Sequence, residues 1–120
     1  MQHYRFVDWE KDWEDLVLLV SEYEKDAVRE LVETYLKTCK RFTSWVALDG
    51  ERIVGSICIA VHRHAFRGDR VATKVAIYVR PEYKGTGRKL ISIAKDYARA
   101  QGCTHLYIDR EPIKCVLNFS

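Results

Sequence analysis

Apolar positions along the chain change their period twice. Tyr4–Val7 reads as a short strand. From Asp12 onward Trp13, Leu16, Val17, Val20 and then Ala27, Val28, Leu31, Val32, Tyr35 and Cys39 recur at helical spacing. Ser21 followed by Glu24 has the form of a capping box, which predicts two helices parted near residue 21; one bent helix is the alternative. The period then shortens. Ser44–Leu48 and Arg52–Val61 are rich in Val, Ile, Trp and Cys and flank Asp49-Gly50, a strong hairpin signal because such turns need positive φ at their centre. The polar stretch His62–Arg70, turning at Arg67-Gly68-Asp69, leads into a strand Val71–Val79.

The second change of period follows Arg80-Pro81-Glu82-Tyr83-Lys84-Gly85-Thr86-Gly87. A helix is predicted from Arg88 to Gln101, with Leu90, Ala94, Tyr97, Ala98 and Gln101 on one face and Gly102 as its C-terminal cap. His105–Asp109 is the last strand, and the tail Arg110–Ser120 is expected to form one or two helical turns. The order is β-α-α-β-β-β-α-β. That is an α/β (α+β) chain with a mixed, mostly antiparallel sheet flanked by helices.

The 120 residues suit one domain, spanning 1–120, and no apolar run approaches the ~18–20 residues of a membrane span. The first residues are acidic and aromatic, unlike a signal or transit peptide, so the expected location is cytoplasmic. Cys39, Cys58, Cys103 and Cys115 form no CxxC pair and stand in apolar contexts; with His3, His62, His64 and His105 they give no metal-ligand spacing. Buried free thiols are expected, and no metal.

Net charge is +3, but it hides an asymmetry. Residues 1–36 carry ten acids and four bases, residues 37–120 sixteen bases and seven acids. An anionic partner is therefore expected to meet the second part of the chain. The bases are not interleaved with aromatics and no nucleic-acid-binding motif is present, so nucleic acid is not the expected anion.

Chemistry concentrates where a strand, a glycine-containing loop and a helix follow directly. Unpaired N–H groups of a helix's first turn, with the helix dipole, favour a phosphate. Gly85 and Gly87 let the backbone approach it, and Lys84, Arg88 and Lys89 surround the same point with positive charge. The segment is not a P-loop, because no GxxxxGK with Ser or Thr is present. Neither is it a dinucleotide fingerprint, since Leu90 stands three residues after Gly87 and the strands before it read as hairpins.

The stretch from Val79-Arg80-Pro81-Glu82-Tyr83 through Lys84-Gly85-Thr86-Gly87-Arg88-Lys89-Leu90, the pair Gln101-Gly102 and the strand Leu106–Asp109 together resemble the GNAT superfamily of N-acetyltransferases. The family's acetyl-CoA motif is a strand ending in V-x-P-E-Y, a Q/R-x-x-G-x-G/A loop, a helix, a Q-G pair and a further strand. The resemblance implies that the main chain of Ile77, Tyr78 and Val79 holds the pantetheine arm. It implies that Lys84, Gly85, Thr86, Gly87, Arg88 and Lys89 hold the pyrophosphate. It also implies that this strand splays from the next, so that thioester and acceptor amine meet in the gap.

Several positions depart from the family's pattern. Pro112 takes the place of a helix-starting Asn, and Phe119 that of a Tyr often used to protonate the leaving thiolate; the family's last hairpin is expected to be missing. The strand Val71–Val79 carries Thr73 and Lys74 where members often hold a Glu. As the base that deprotonates the amine, His64 and Asp109 are the candidates by strand-end position. Each has an equally ordinary reading, as a solvated turn histidine and as a cap of the following turn. Positioning alone is a further route.

The expected activity is acetyl-CoA-dependent N-acetyl transfer to a primary amine, on a small molecule or a protein lysine. The alternative is a degenerate domain of the same fold that acts as a non-catalytic interaction or structural protein, with or without CoA. Loss of the last hairpin leaves the strand His105–Asp109 with an open edge, and such edges are covered or paired. A homodimer through that edge or through Ile113–Phe119 is the expectation.

Overall fold

The structure, a computed structural model, describes residues 2–109 and 114–118. Its elements are β1 (Gln2–Phe6), α1 (Trp13–Tyr23), α2 (Arg29–Cys39), β2 (Thr43–Asp49), β3 (Arg52–Arg63), β4 (Arg70–Val79), α3 (Thr86–Ala100), β5 (His105–Asp109) and β6 (Lys114–Asn118). The strands form one six-stranded sheet in the order β1-β2-β3-β4-β5-β6. Every neighbouring pair is antiparallel except β4–β5, which is parallel and is bridged by α3. A parallel neighbour needs a crossover of that kind.

Alternation of side chains along the strands sends two apolar sets to opposite faces. On one face Val54, Ile57, Ile59, Ala72 and Leu106 pack against Leu90, Ala94 and Ala98 of α3. On the other, Val46, Leu48 and Ile53 meet Leu16, Leu19 and Val20 of α1 and Val32 and Leu36 of α2. The small residues at 94 and 98 keep α3 close to the sheet. No helix among the described residues is long and apolar enough to cross a membrane.

Three local expectations are corrected. Ser21 lies inside α1, because burial of Leu19 and Val20 carries that helix on to Tyr23; the break falls at 24–28, where Asp26 takes φ 63°. Asp49 is the last residue of β2, paired with Arg52, so the two-residue turn is Gly50-Glu51 and Gly50 supplies the positive φ (64°). The tail does not form helical turns over 114–118. Those residues are β6, antiparallel to β5 from His105↔Asn118 to Asp109↔Lys114. The β5 edge from which a homodimer was expected is therefore paired within the chain.

The approach to α1 is fixed by a buried carboxylate. Asp12, only 2% exposed, takes both arms of the Arg5 guanidinium at 2.7 and 2.9 Å and the Asp8 amide at 2.8 Å. Burial alone would raise its pKa, but the Arg5 fork and the Asp8 amide overcome it and hold the carboxyl below its ordinary value. A depressed folded pKa gives stability that is complete above the unfolded value of ~3.9 and fades as pH falls through the folded one. Asp12→Asn is expected to cost about 1–3 kcal/mol at neutral pH. The gap in Tm between wild type and variant should close as the pH is lowered below ~4, which thermal melts across pH will read.

Candidate functional site

β4 is held on both sides for only part of its length. Val71, Ala72 and Thr73 pair with His105, Leu106 and Tyr107 of β5, and no further β4–β5 pair follows among the described residues. Lys74 and residues 76–79 pair with β3 alone, from Lys74↔Ile59 to Val79↔Gly55. Every second residue of that stretch turns its N–H and C=O to the side that β5 has left. This is the gap expected between the two strands. Ile77, Tyr78 and Val79 form the end of its β4 wall.

A bulge starts the open stretch. Cys58 faces Ala76 and Ile59 faces Lys74, so Val75 is the extra residue. Its carbonyl accepts the Tyr35 hydroxyl of α2 at 3.1 Å. Burial, followed by the neighbouring Tyr78, pushes the Tyr35 hydroxyl well above its usual pKa, and burial also raises Tyr78. Both are therefore neutral at ordinary pH, and Tyr35 is the donor. In the sequence Tyr35 has only a place on the apolar face of a helix. On a helix its spacing reads as packing, and its partner lies 40 positions away. Tyr35→Phe keeps the ring and removes the donor; a loss of about 1–2 kcal/mol in a denaturant titration is expected.

Beyond Val79 the chain is pinned before it turns. The Arg80 amide donates to Val54 O at 2.9 Å, and its buried guanidinium donates to Ile53 O at 3.2 Å and pairs with Glu22 at the end of α1. Two successive turns follow, Tyr83 N–H to Arg80 O (3.0 Å) and Thr86 N–H to Tyr83 O (3.3 Å). The Tyr83 hydroxyl donates to Asp49 at 2.6 Å. Gly85 then caps α3 at φ 90°, a conformation that strains any side chain.

Thr86, one of the residues expected at the phosphates, turns its side chain inward. It is buried, and its hydroxyl donates to Gln2 Oε1 at 3.0 Å, so its side chain ties α3 to β1. The amides of Gly87 and Arg88 have no carbonyl partner among the described residues. Lys84, Arg88 and Lys89 are exposed around them. An open cleft of about 440 Å³ runs from Val79 and Arg80 past Lys84 and Gly85 to Gly87 and Arg88. Free first-turn amides, a left-handed glycine and three cations stand together there, the chemistry that favours a bound anion.

The two candidate bases are placed differently. His64 lies in the β3–β4 loop, with its ring centroid 6.2 Å from that of Tyr107, the last β5 residue paired to β4. Its Nδ1 accepts the amides of Phe66 and Arg67, both at 3.2 Å, so that nitrogen is committed to the turn. Asp109 stands in β5 two residues past the last β4–β5 pair, with only its backbone described. Phe119 and Pro112 lie outside the described residues.

The model of the Acetyltransferase (GNAT) family matches residues 4–113. None of the curated proteins matches the chain. Among solved structures, a GNAT family acetyltransferase from Brucella melitensis in complex with acetyl-CoA superimposes with TM-score 0.78 at 15% identity, covering 100% of this chain and 89% of that one. A GNAT family acetyltransferase from Staphylococcus aureus gives 0.75 at 12% identity, covering 91% and 86%. An aminoglycoside N-acetyltransferase in complex with CoA gives 0.78 at 15%, covering 93% and 78%. At these identities the structures speak for the fold, and the family match speaks for descent. With the strand, loop and helix order described above, the chain belongs to the GNAT family of acetyltransferases.

Proposed function

We propose that the protein transfers an acetyl group from acetyl-CoA to a primary amine, with the cofactor lying along the open stretch of β4. The observation that carries this reading is the continuity of that stretch with the cationic start of α3. When bound, acetyl-CoA supplies the thioester whose acyl carbon the amine takes as CoA leaves. Gly87, Arg88 and Lys89 hold the pyrophosphate, and the main chain of Ile77, Tyr78 and Val79 orients the pantetheine arm. Tyr35 holds the Val75 carbonyl, which fixes the bulge against which the acyl group would rest.

β4 carries no carboxylate, and His64 Nδ1 is already bonded, so positioning supplies much of the rate. A thiol pKa of ~8.5 makes CoA a tolerable leaving group without a dedicated acid. Glu24 and Glu30 add to the α1–α2 face a negative field that attracts cationic acceptors. Aminoglycosides, polyamines and lysine peptides are the acceptor panel.

The test measures Tm against acetyl-CoA concentration, then acetyl transfer to that panel. A rising Tm with slow transfer that increases with pH, as the amine deprotonates, is expected. No shift at millimolar acetyl-CoA, with the protein folded, removes the reading. A shift without transfer to any acceptor leaves a CoA-binding module of the same fold, the non-catalytic alternative.

A further inference from the structure

The residues that close the β3–β4 hairpin are Arg63 and Arg70, directly opposite each other across the two strands. Like charges in that position destabilise an antiparallel pair. The loop between them offers one carboxylate, Asp69, and it is engaged elsewhere. It takes two bonds from Arg67 at 3.0 and 3.1 Å and a third from the Thr104 hydroxyl, and Arg67 above all holds it well below the usual carboxylate range. Among the described residues the two opposed arginines are left without an acid.

They line a cavity of about 250 Å³ with Val61, His62 and Gly68, and no acidic residue among those described contributes to its wall. Arg63 Nη1 donates to Gly68 O at 3.3 Å, which curls that side chain over the loop. The Arg70 guanidinium makes no hydrogen bond or ion pair among the described residues. His62 serves as a wall, because its Nδ1 meets Arg63 O at 3.0 Å and its Nε2 meets the Thr73 hydroxyl at 2.9 Å. Arg70 opens β4 and Val79 closes it, so this cavity lies at the far end of the strand from the start of α3.

We propose that this cavity binds the phosphate group of a small phosphorylated molecule, held between Arg63 and Arg70. A tetrahedral dianion offers oxygens to two guanidinium forks at once, whereas a planar carboxylate matches one. The bound anion offsets the like charge of two cross-strand neighbours with two opposite-charge contacts. This site is independent of the acyltransferase reading.

The experiment follows backbone amide and arginine Nε–Hε resonances while inorganic phosphate is titrated at constant ionic strength, with chloride as the balancing salt. Saturable shifts at Arg63, Gly68 and Arg70 in the millimolar range or below are expected. Arg70→Gln should weaken them about tenfold or more, the loss of one charge-assisted hydrogen bond. The same variant should be at least as stable as wild type without phosphate, because it relieves the opposed charges. Shifts at Gly87 report the other anion site and are read separately. A second arm repeats the titration with a sugar phosphate, and tighter binding than inorganic phosphate identifies an organic phosphate as the ligand. Shifts that follow ionic strength without saturating, or that survive unchanged in Arg70→Gln, overturn the proposal.

Discussion

Gly55→Val is expected to cost about 3 kcal/mol and to lower Tm by roughly 10 °C. Gly55 sits in β3 opposite Val79, under the first turns of α3. A Cβ there would stand 3.2 Å from Leu90 Cδ1, 3.2 Å from Thr86 Cγ2 and 3.3 Å from Tyr78 O. Leu90 and Thr86 are both buried, and Thr86 is held by Gln2, so neither can step aside freely. The two further methyls of valine force α3 outward and open the packing of Leu90, Ala94 and Ala98 on the sheet. Alanine, which adds only the Cβ, should be milder. Differential scanning calorimetry on the pair checks the order. Equal Tm for wild type and Gly55→Val would mean that α3 does not rest on β3 as closely as described.

Gly87→Val is expected to leave the fold intact and to weaken acetyl-CoA about 100-fold or more, the loss of two charge-assisted hydrogen bonds. Here the added Cβ meets only Val79 Cγ2 at 3.5 Å and Ile77 Cδ1 at 3.8 Å, ordinary contacts. Helix propensity does not oppose the change, since valine is a better helix former than glycine. The new side chain does cover the approach to the free amides of Gly87 and Arg88. Calorimetric titration beside a thermal melt separates the two effects: an unchanged apo Tm with lost binding supports the site. Unchanged binding would place the cofactor elsewhere. Gly85 is not an equivalent probe, because its φ of 90° makes any substitution a backbone lesion.

What could be read beforehand was written locally. The start of α3 announces itself through Gly85 and Gly87 between a β pattern and an amphipathic run, and its end through Gly102, which takes φ 82° while Cys103 N–H closes on Ala98 O at 3.0 Å. The hairpin at Asp49-Gly50 was legible to within one residue. Its register depends on which pair closes the ladder, and that is settled by the apolar faces of β2 and β3. The strand at 114–118 was not legible, because Lys-Cys-Val-Leu-Asn is too short for periodicity to choose a state and its partner β5 decides. Ser21 and Glu24 match a capping box that burial of α1 overrides. The bulge at Val75 and the hydroxyl that holds it are long-range facts with no local signature.

The seam between β4 and β5 ends at Thr73 and Tyr107. A ladder carried on to Val79 would satisfy more backbone groups and make a stiffer sheet, so the slot stands as a permanent loss of cohesion accepted during folding. That loss sets how the slot receives a guest. A molecule entering it displaces water from groups that never had a strand partner, and no ladder has to be unzipped. On the proposed reading, recognition along β4 is thus preorganised: the work of separation is complete before encounter, and contact energy goes into affinity instead of rearrangement.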